Sequence, residues 1–379
     1  MQTLALDPAE VHRIAVFRAL MLGDLLCATP ALRALRHAYP AAEITLVGLP
    51  WAQTLAQRLP VDAFLPFPGY PGLPEAAPQL AALPPFLAQA QAARYDLALQ
   101  LHGSGTITNP LVASFGARRN SGFFQPGQFC PDPALYTPWP ATGHEIERCL
   151  AVTDALGVAR QGLAIDFPLA EEDHERLLQQ APALADEPYL VLHAGAQLRS
   201  RRWPLERFAR VANALASEGW RVVLTGTPGE AALGQALQQA CSRHAARLMN
   251  LIGRTDLWSL GALLQRAQLL VGNDTGLSHI AAALGTPSVI VSLGADVQRW
   301  APLDRQRHHV LWQDLPCRPC GHPVCPQRHE CATAIGADAV IEAAFDQLHR
   351  YATREPTWQP LPSACASSPG MSTATTSGT

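Results

Sequence analysis

The chain of 379 residues contains no lysine; all 28 of its basic side chains are arginine. Any role that an amine commonly fills must therefore fall to a guanidinium. That group stays charged and presents a planar fork of donors, so phosphate binding survives while a neutral amine base is excluded. The chain also lacks an apolar run of membrane-spanning length. Its best candidate, residues 14–35, is interrupted by Arg18, Asp24 and Arg33. A strong charge of either sign is missing too: the formal net charge is −3, which argues against general nucleic-acid binding. Residues 1–13 are polar and acidic and lack the apolar centre of a signal peptide, so a cytoplasmic protein is expected.

What is present is a globular composition, 48% hydrophobic, on a chain longer than one ordinary core, which predicts two domains. Short apolar runs alternate with Ala/Leu/Arg-rich helical stretches. Strands are expected at 11–17, 43–48 and 95–101, then at 188–193, 220–225, 248–252, 268–271 and 288–293. Helices are expected at 51–59, 86–93, 145–156, 171–180, 204–218, 231–243, 257–267 and 338–351, with another from Asp24 or Pro30 to about Tyr39. Residues 60–85 and 122–142, rich in Pro with Gly or aromatics, read as irregular connections. Strands alternating with helices imply parallel α/β sheets, whose ligands gather beyond the carboxyl ends of the strands. The domains are expected at 11–170 and 171–351, with a disordered tail from 352.

The most informative stretch is Asn273-Asp274-Thr275-Gly276-Leu277-Ser278-His279, between a buried strand and a short helix closed by Gly285. Backbone N–H groups at such a helix start, with the helix dipole, make an anion site. A simple helix cap by Asp274 or Thr275 is the competing reading. Gly195 and the arginines 199, 201 and 202 add an anion-binding look, although a solvated loop would carry the same residues. Glu230 suits a ribose diol or, equally, a helix N-terminus. Asp24, just past a buried strand, is a candidate general base or a plain cap. Gly23 beside it, with His102 and Ser104 at another strand end, should face the same crevice. Cys317-x2-Cys320-x4-Cys325-x5-Cys331 leaves a structural metal, disulfides and reduced packing cysteines all open; four thiolates would leave no open position for catalysis.

Several of these pieces, in this order, resemble glycosyltransferase family 9, the ADP-heptose:lipopolysaccharide heptosyltransferases. They are Gly23-Asp24-Leu25-Leu26 with Thr29-Pro30-Ala31-Leu32; Leu192-His193-Ala194-Gly195-Ala196; Arg201-Arg202-Trp203-Pro204-Leu205-Glu206-Arg207-Phe208; Asn250-Leu251-Ile252-Gly253-Arg254-Thr255; and Asn273-Asp274-Thr275-Gly276 with His279. The resemblance runs over roughly 11–350. It implies a GT-B fold: two Rossmann-like domains, acceptor on the first and nucleotide sugar on the second. It implies an inverting heptosyl transfer from ADP-heptose to a lipopolysaccharide core or other glycan. Asp24 would be the base, and Arg201 would stand where the family usually has a phosphate-binding lysine. Gly195, Glu230, Asp274, Thr275, Gly276 and His279 would bind donor; Gly23, His102 and Ser104 would bind acceptor. No cofactor or obligatory catalytic metal is implied. An amphiphilic acceptor would place the work at the cytoplasmic face of the inner membrane. A sugar-nucleotide epimerase of the same architecture and a non-catalytic nucleotide-binding protein are the alternatives.

Overall fold

The computed structural model describes residues 4–352; the tail expected beyond 352 lies outside the described residues. Twelve strands form two six-stranded sheets. The first holds β1 (Arg13–Phe17), β2 (Glu43–Gly48), β3 (Ala63–Pro66), β4 (Leu97–Gln100), β5 (Arg119–Phe124) and β6 (Tyr136–Pro138). The second holds β7 (Tyr189–His193), β8 (Arg221–Leu224), β9 (Leu248–Asn250), β10 (Leu270–Asn273), β11 (Ser288–Val291) and β12 (His308–Leu311). Every pairing is parallel. The orders are β3-β2-β1-β4-β5-β6 and β12-β11-β10-β7-β8-β9. Counted from its own first strand, each sheet has the Rossmann order 3-2-1-4-5-6. The central strands are apolar throughout, as sheets covered on both faces require: Ile14, Ala15, Val16 and Phe17 are fully buried.

Four strands depart from the sequence expectation. β3 lies inside the 60–85 connection, β5 and β6 lie in or beside the 122–142 segment, and β12 was not anticipated. β3, β6 and β12 are edge strands. Pro66 and Pro138 end two of them, where an absent N–H breaks no inner ladder. β12 carries two histidines, which masks its alternation.

The helix Leu22–Ala38 begins before Pro30 and runs through it. Proline leaves the Leu26 carbonyl without its usual partner, and the Thr29 hydroxyl donates to it at 2.9 Å. The same hydroxyl accepts the Asp166 N–H, tying the helix to the segment between the sheets. Leu25 and Leu26 of this helix share one apolar cluster with Leu277, Ile280 and Ala281 of the second half. The two Rossmann-like units thus meet through helices that follow their first and fourth strands. We propose a domain boundary near 170, because helix Glu171–Gln180 packs on Leu257–Arg266, whereas Glu145–Asp154 packs on Leu22–Ala38.

Candidate active site

A parallel sheet splits its crossovers at the switch point between its first and fourth strands, opening a crevice at the carboxyl ends. Here the loops after β1, β7 and β10 converge from both sheets on one cavity of about 350 Å³. Met21, Gly23 and Asp24 line it from the first domain. Ala196, Gln197, Leu198, Arg201, Asp274, Thr275, Gly276, His279, Ala295 and Trp300 line it from the second.

The first wall is built on a buried arginine. Arg18 follows β1 and is 2% exposed. Its Nε donates to the Asp24 carbonyl at 2.8 Å, its Nη1 donates to the Leu101 carbonyl, and its Nη2 meets Glu145 at 2.9 Å. The turn between β1 and its helix is therefore fixed from inside. Asp24 falls in the first helical turn and accepts the Met21 backbone N–H. Its carboxyl looks into the cavity but is packed by protein on its other sides. That burial pushes its pKa above the ordinary carboxylate value, with Glu145 adding to the rise and Arg18 and Arg299 opposing it.

The second wall is held by Asn273, at the end of β10 and 1% exposed. Its Oδ1 accepts the Trp203 N–H at 3.0 Å; its Nδ2 donates to the carbonyls of Ala194 at 2.8 Å and Gly195 at 3.2 Å. One side chain thus ties the β10 loop to the β7 loop. Thr275 is the N-cap of helix Gly276–Leu284 and accepts the Leu277 N–H. The capping reading is correct for Thr275, and it leaves Asp274 free for the cavity. Asp274 accepts from the Ser292 hydroxyl at 2.9 Å. Arg201 donates from Nη2 to the Cys320 carbonyl at 3.3 Å, while its Nε is buried with no hydrogen-bond partner among the described residues. A charged donor left unpaired beside a cavity is suited to an anionic ligand.

His279 stands at the seam. Its Nδ1 lies 3.6 Å from the Cys27 thiol, and burial pushes its pKa down, keeping the ring neutral near pH 7.

Four expected residues lie outside the cavity lining. Glu230 accepts from the Thr227 N–H at 2.8 Å and hydroxyl at 3.0 Å, the capping arrangement weighed against a ligand role. Gly195 packs its Cα on the Glu230 carboxylate, where a Cβ would collide. Gly195 adjoins Ala196, which lines the cavity. His102 stacks on Phe17 at 5.3 Å and faces Glu75 at 3.5 Å. Ser104 meets Thr106 at 3.5 Å. Sequence reasoning missed Arg18, Glu145, Arg299 and Trp300. Among the described residues no group of three or more His, Cys, Asp or Glu side chains is arranged to hold a metal ion. Cys317, Cys320, Cys325 and Cys331 are free, and their segment instead roofs Arg201 and Ser200 through the Cys320 and His322 carbonyls.

Two Rossmann-like domains with an anion-ready second wall and a carboxylate on the first define a GT-B glycosyltransferase architecture. The chain belongs to glycosyltransferase family 9 (heptosyltransferase), whose family model matches residues 90–330. It is similar to lipopolysaccharide heptosyltransferase 2 of Salmonella typhimurium, 28% identical over 290 residues covering 73% of this chain and 81% of that one. Its fold is similar to that of a family 9 glycosyltransferase from Veillonella parvula, with TM-score 0.73, 23% identity, and 91% and 98% of the two chains covered. It is likewise similar to ADP-heptose lps heptosyltransferase II of E. coli, with TM-score 0.71, 22% identity, and coverage of 89% and 99%. The protein is thus a transferase. Asp24 precedes the stretch matched by the family model, so its assignment rests on the cavity geometry and the local motif.

Proposed function

We propose that the protein transfers heptose from ADP-heptose to a hydroxyl of a lipopolysaccharide-core or related glycan, with inversion at the anomeric carbon. The observation that carries this reading is the convergence of Asp24 with Arg201, Asp274, Thr275 and Gly276 on one interdomain cavity. The Asp24 carboxylate takes the acceptor proton as the oxygen attacks the anomeric carbon and the bond to the diphosphate breaks. Its raised pKa makes it a stronger base than an exposed aspartate. Arg201 and the N–H groups at the start of helix Gly276–Leu284 stabilise the departing ADP. Asp274 and His279 hold the donor sugar side, and Gly195 and Glu230, packed against each other, receive the ribose. Gly23, His102 and Ser104 remain the acceptor-side proposal; His102 keeps a buried Nδ1 without a partner among the described residues. No helix of the described residues is long and apolar enough to cross a membrane, so peripheral contact would bring the enzyme to an amphiphilic acceptor.

The test is incubation with ADP-heptose, with and without a truncated lipopolysaccharide core. The account expects ADP release only with acceptor, and a product heavier by one heptose. A changed sugar without acceptor would indicate an epimerase, and no donor consumption a binding protein.

A further inference from the structure

Glu145 is a buried carboxylate, 2% exposed, that the reaction scheme does not use. Its two oxygens are divided between the two domains. Oε1 meets Arg18 Nη2 at 2.9 Å, and Oε2 meets Arg299 Nε at 2.7 Å. Arg18 belongs to the turn that carries Asp24. Arg299 belongs to the short helix Val297–Trp300 of the second domain, capped by Asp296. We propose that Glu145 is a positioning residue: by gripping Arg18 and Arg299 at once it sets the charge balance around Asp24 and links that balance to domain closure. This inference rests on the reading of Asp24 as the base.

The neighbouring contacts support a built joint. His144 precedes Glu145 and caps helix Glu145–Asp154, its Nδ1 accepting the Ile146 N–H. That bond leaves the proton on Nε2, which donates across the domains to the Ala301 carbonyl at 2.9 Å. The Arg299 guanidinium lies 4.6 Å above the Trp300 ring, and Trp300 lines the cavity. The joint therefore reaches the active site along both of its arms.

The electrostatics follow from the count of charges. Arg18, Arg299 and the buried Arg148 are three cations of this cluster; Glu145, Asp296 and ionised Asp24 are its anions, and Arg18 and Arg299 are the cations that act on Asp24. Burial disfavours the Glu145 charge, but the two arginines outweigh it and hold its pKa below the usual range. Glu145 is therefore a fixed anion. The other groups facing Asp24 from its own domain are the Cys27 and Cys149 thiols, both pushed up by burial and so neutral. Across the cavity stand His279, kept neutral by burial, with Asp274 and Arg201. Removing the Glu145 charge would take away the anion that opposes the pull of Arg18 and Arg299 on Asp24. Asp24 would then be held more firmly as its anion and be a weaker base. Removing Arg299 would do the reverse, because that cation lowers the Asp24 pKa.

The test uses two variants of opposite sign. The Asp24 carboxyl is titrated by 13C NMR in protein labelled at aspartate carboxyls, its signal assigned by its loss in Asp24→Asn. The pH profile of kcat is recorded with ADP-heptose and a truncated lipopolysaccharide core. Glu145→Gln is expected to lower the Asp24 midpoint and shift the acid limb of kcat down by about one unit. The plateau kcat falls about tenfold, with KM for ADP-heptose changed less than about threefold. Arg299→Gln is expected to move the midpoint upward. A midpoint unmoved in both variants, or moved the same way in both, overturns the proposal; a general loss of packing cannot produce opposed shifts. Should Glu145→Gln not fold, the Arg299→Gln shift decides alone. Near-normal turnover by Asp24→Asn would remove the base assignment, while the NMR shifts would still report on the charge coupling.

Discussion

Gly23 of the first domain and His279 of the second approach so closely that a Cβ on Gly23 would lie 2.6 Å from His279 Cδ2. Gly23 is the second residue of helix Leu22–Ala38 and has ordinary backbone angles, so the helix itself accommodates alanine there. Any harm from Gly23→Ala must therefore come across the seam. We expect the variant to melt below wild type and to transfer about tenfold more slowly, because the buried His279 ring or the whole domain must yield. Stability and transfer both unchanged would show that the ring moves aside without cost.

The Asp24 carboxyl has a pKa raised mainly by burial. A raised carboxyl pKa means that the folded state holds its proton more tightly. The stability it contributes is full below the ordinary value of about 3.9 and is lost as pH rises through the folded value. Asp24→Asn, which can still accept the Met21 N–H, should therefore melt higher than wild type at pH 7. The difference should shrink as pH falls toward 4. Calorimetric scans across that range check it, and a lower melting point at pH 7 would contradict it.

Arg201 has one buried donor unpaired and one hydrogen bond to the Cys320 carbonyl. Arg201→Ala should weaken ADP binding by about tenfold or more, while Arg201→Lys restores charge but not the fork and recovers only part of it. Titration calorimetry with ADP separates the three proteins. Equal affinities would remove the phosphate role.

Asn273 makes three hydrogen bonds that no other side chain of that size can reproduce. Asn273→Ala should cost about 2–3 kcal/mol, since buried carbonyls and an N–H lose their partner. Asn273→Asp should fare no better, because it sets an acceptor against two carbonyls. Urea denaturation checks both, and a loss below about 1 kcal/mol would show that water replaces the side chain.

Much of the fold was legible because buried parallel strands announce themselves as apolar runs. The helix Glu171–Gln180 lies where its pattern placed it, and the loops after β1, β7 and β10 were readable as strand ends. The edge strands β3, β6 and β12 were not, because Pro66, Pro138 and the β12 histidines break the pattern without breaking a ladder, whereas the edge strand β9 was. In the site, Asp24, Arg201 and residues 274–276 were legible as local motifs. Glu145 was not: in sequence it is an acid in a helical first turn, and its partners lie 127 and 154 residues away. Charge pairing at that range leaves no periodic trace. His279, expected on the donor side, also closes the seam with Gly23.

The central claim is that Asp24 removes the acceptor proton while the second domain holds the nucleotide. The most direct measurement is product formation by Asp24→Ala with ADP-heptose and a truncated lipopolysaccharide core, alongside its affinity for ADP. The account predicts transfer reduced by at least about 100-fold with ADP affinity within about threefold of wild type. Near-wild-type transfer, or ADP binding lost in step with transfer, would contradict it.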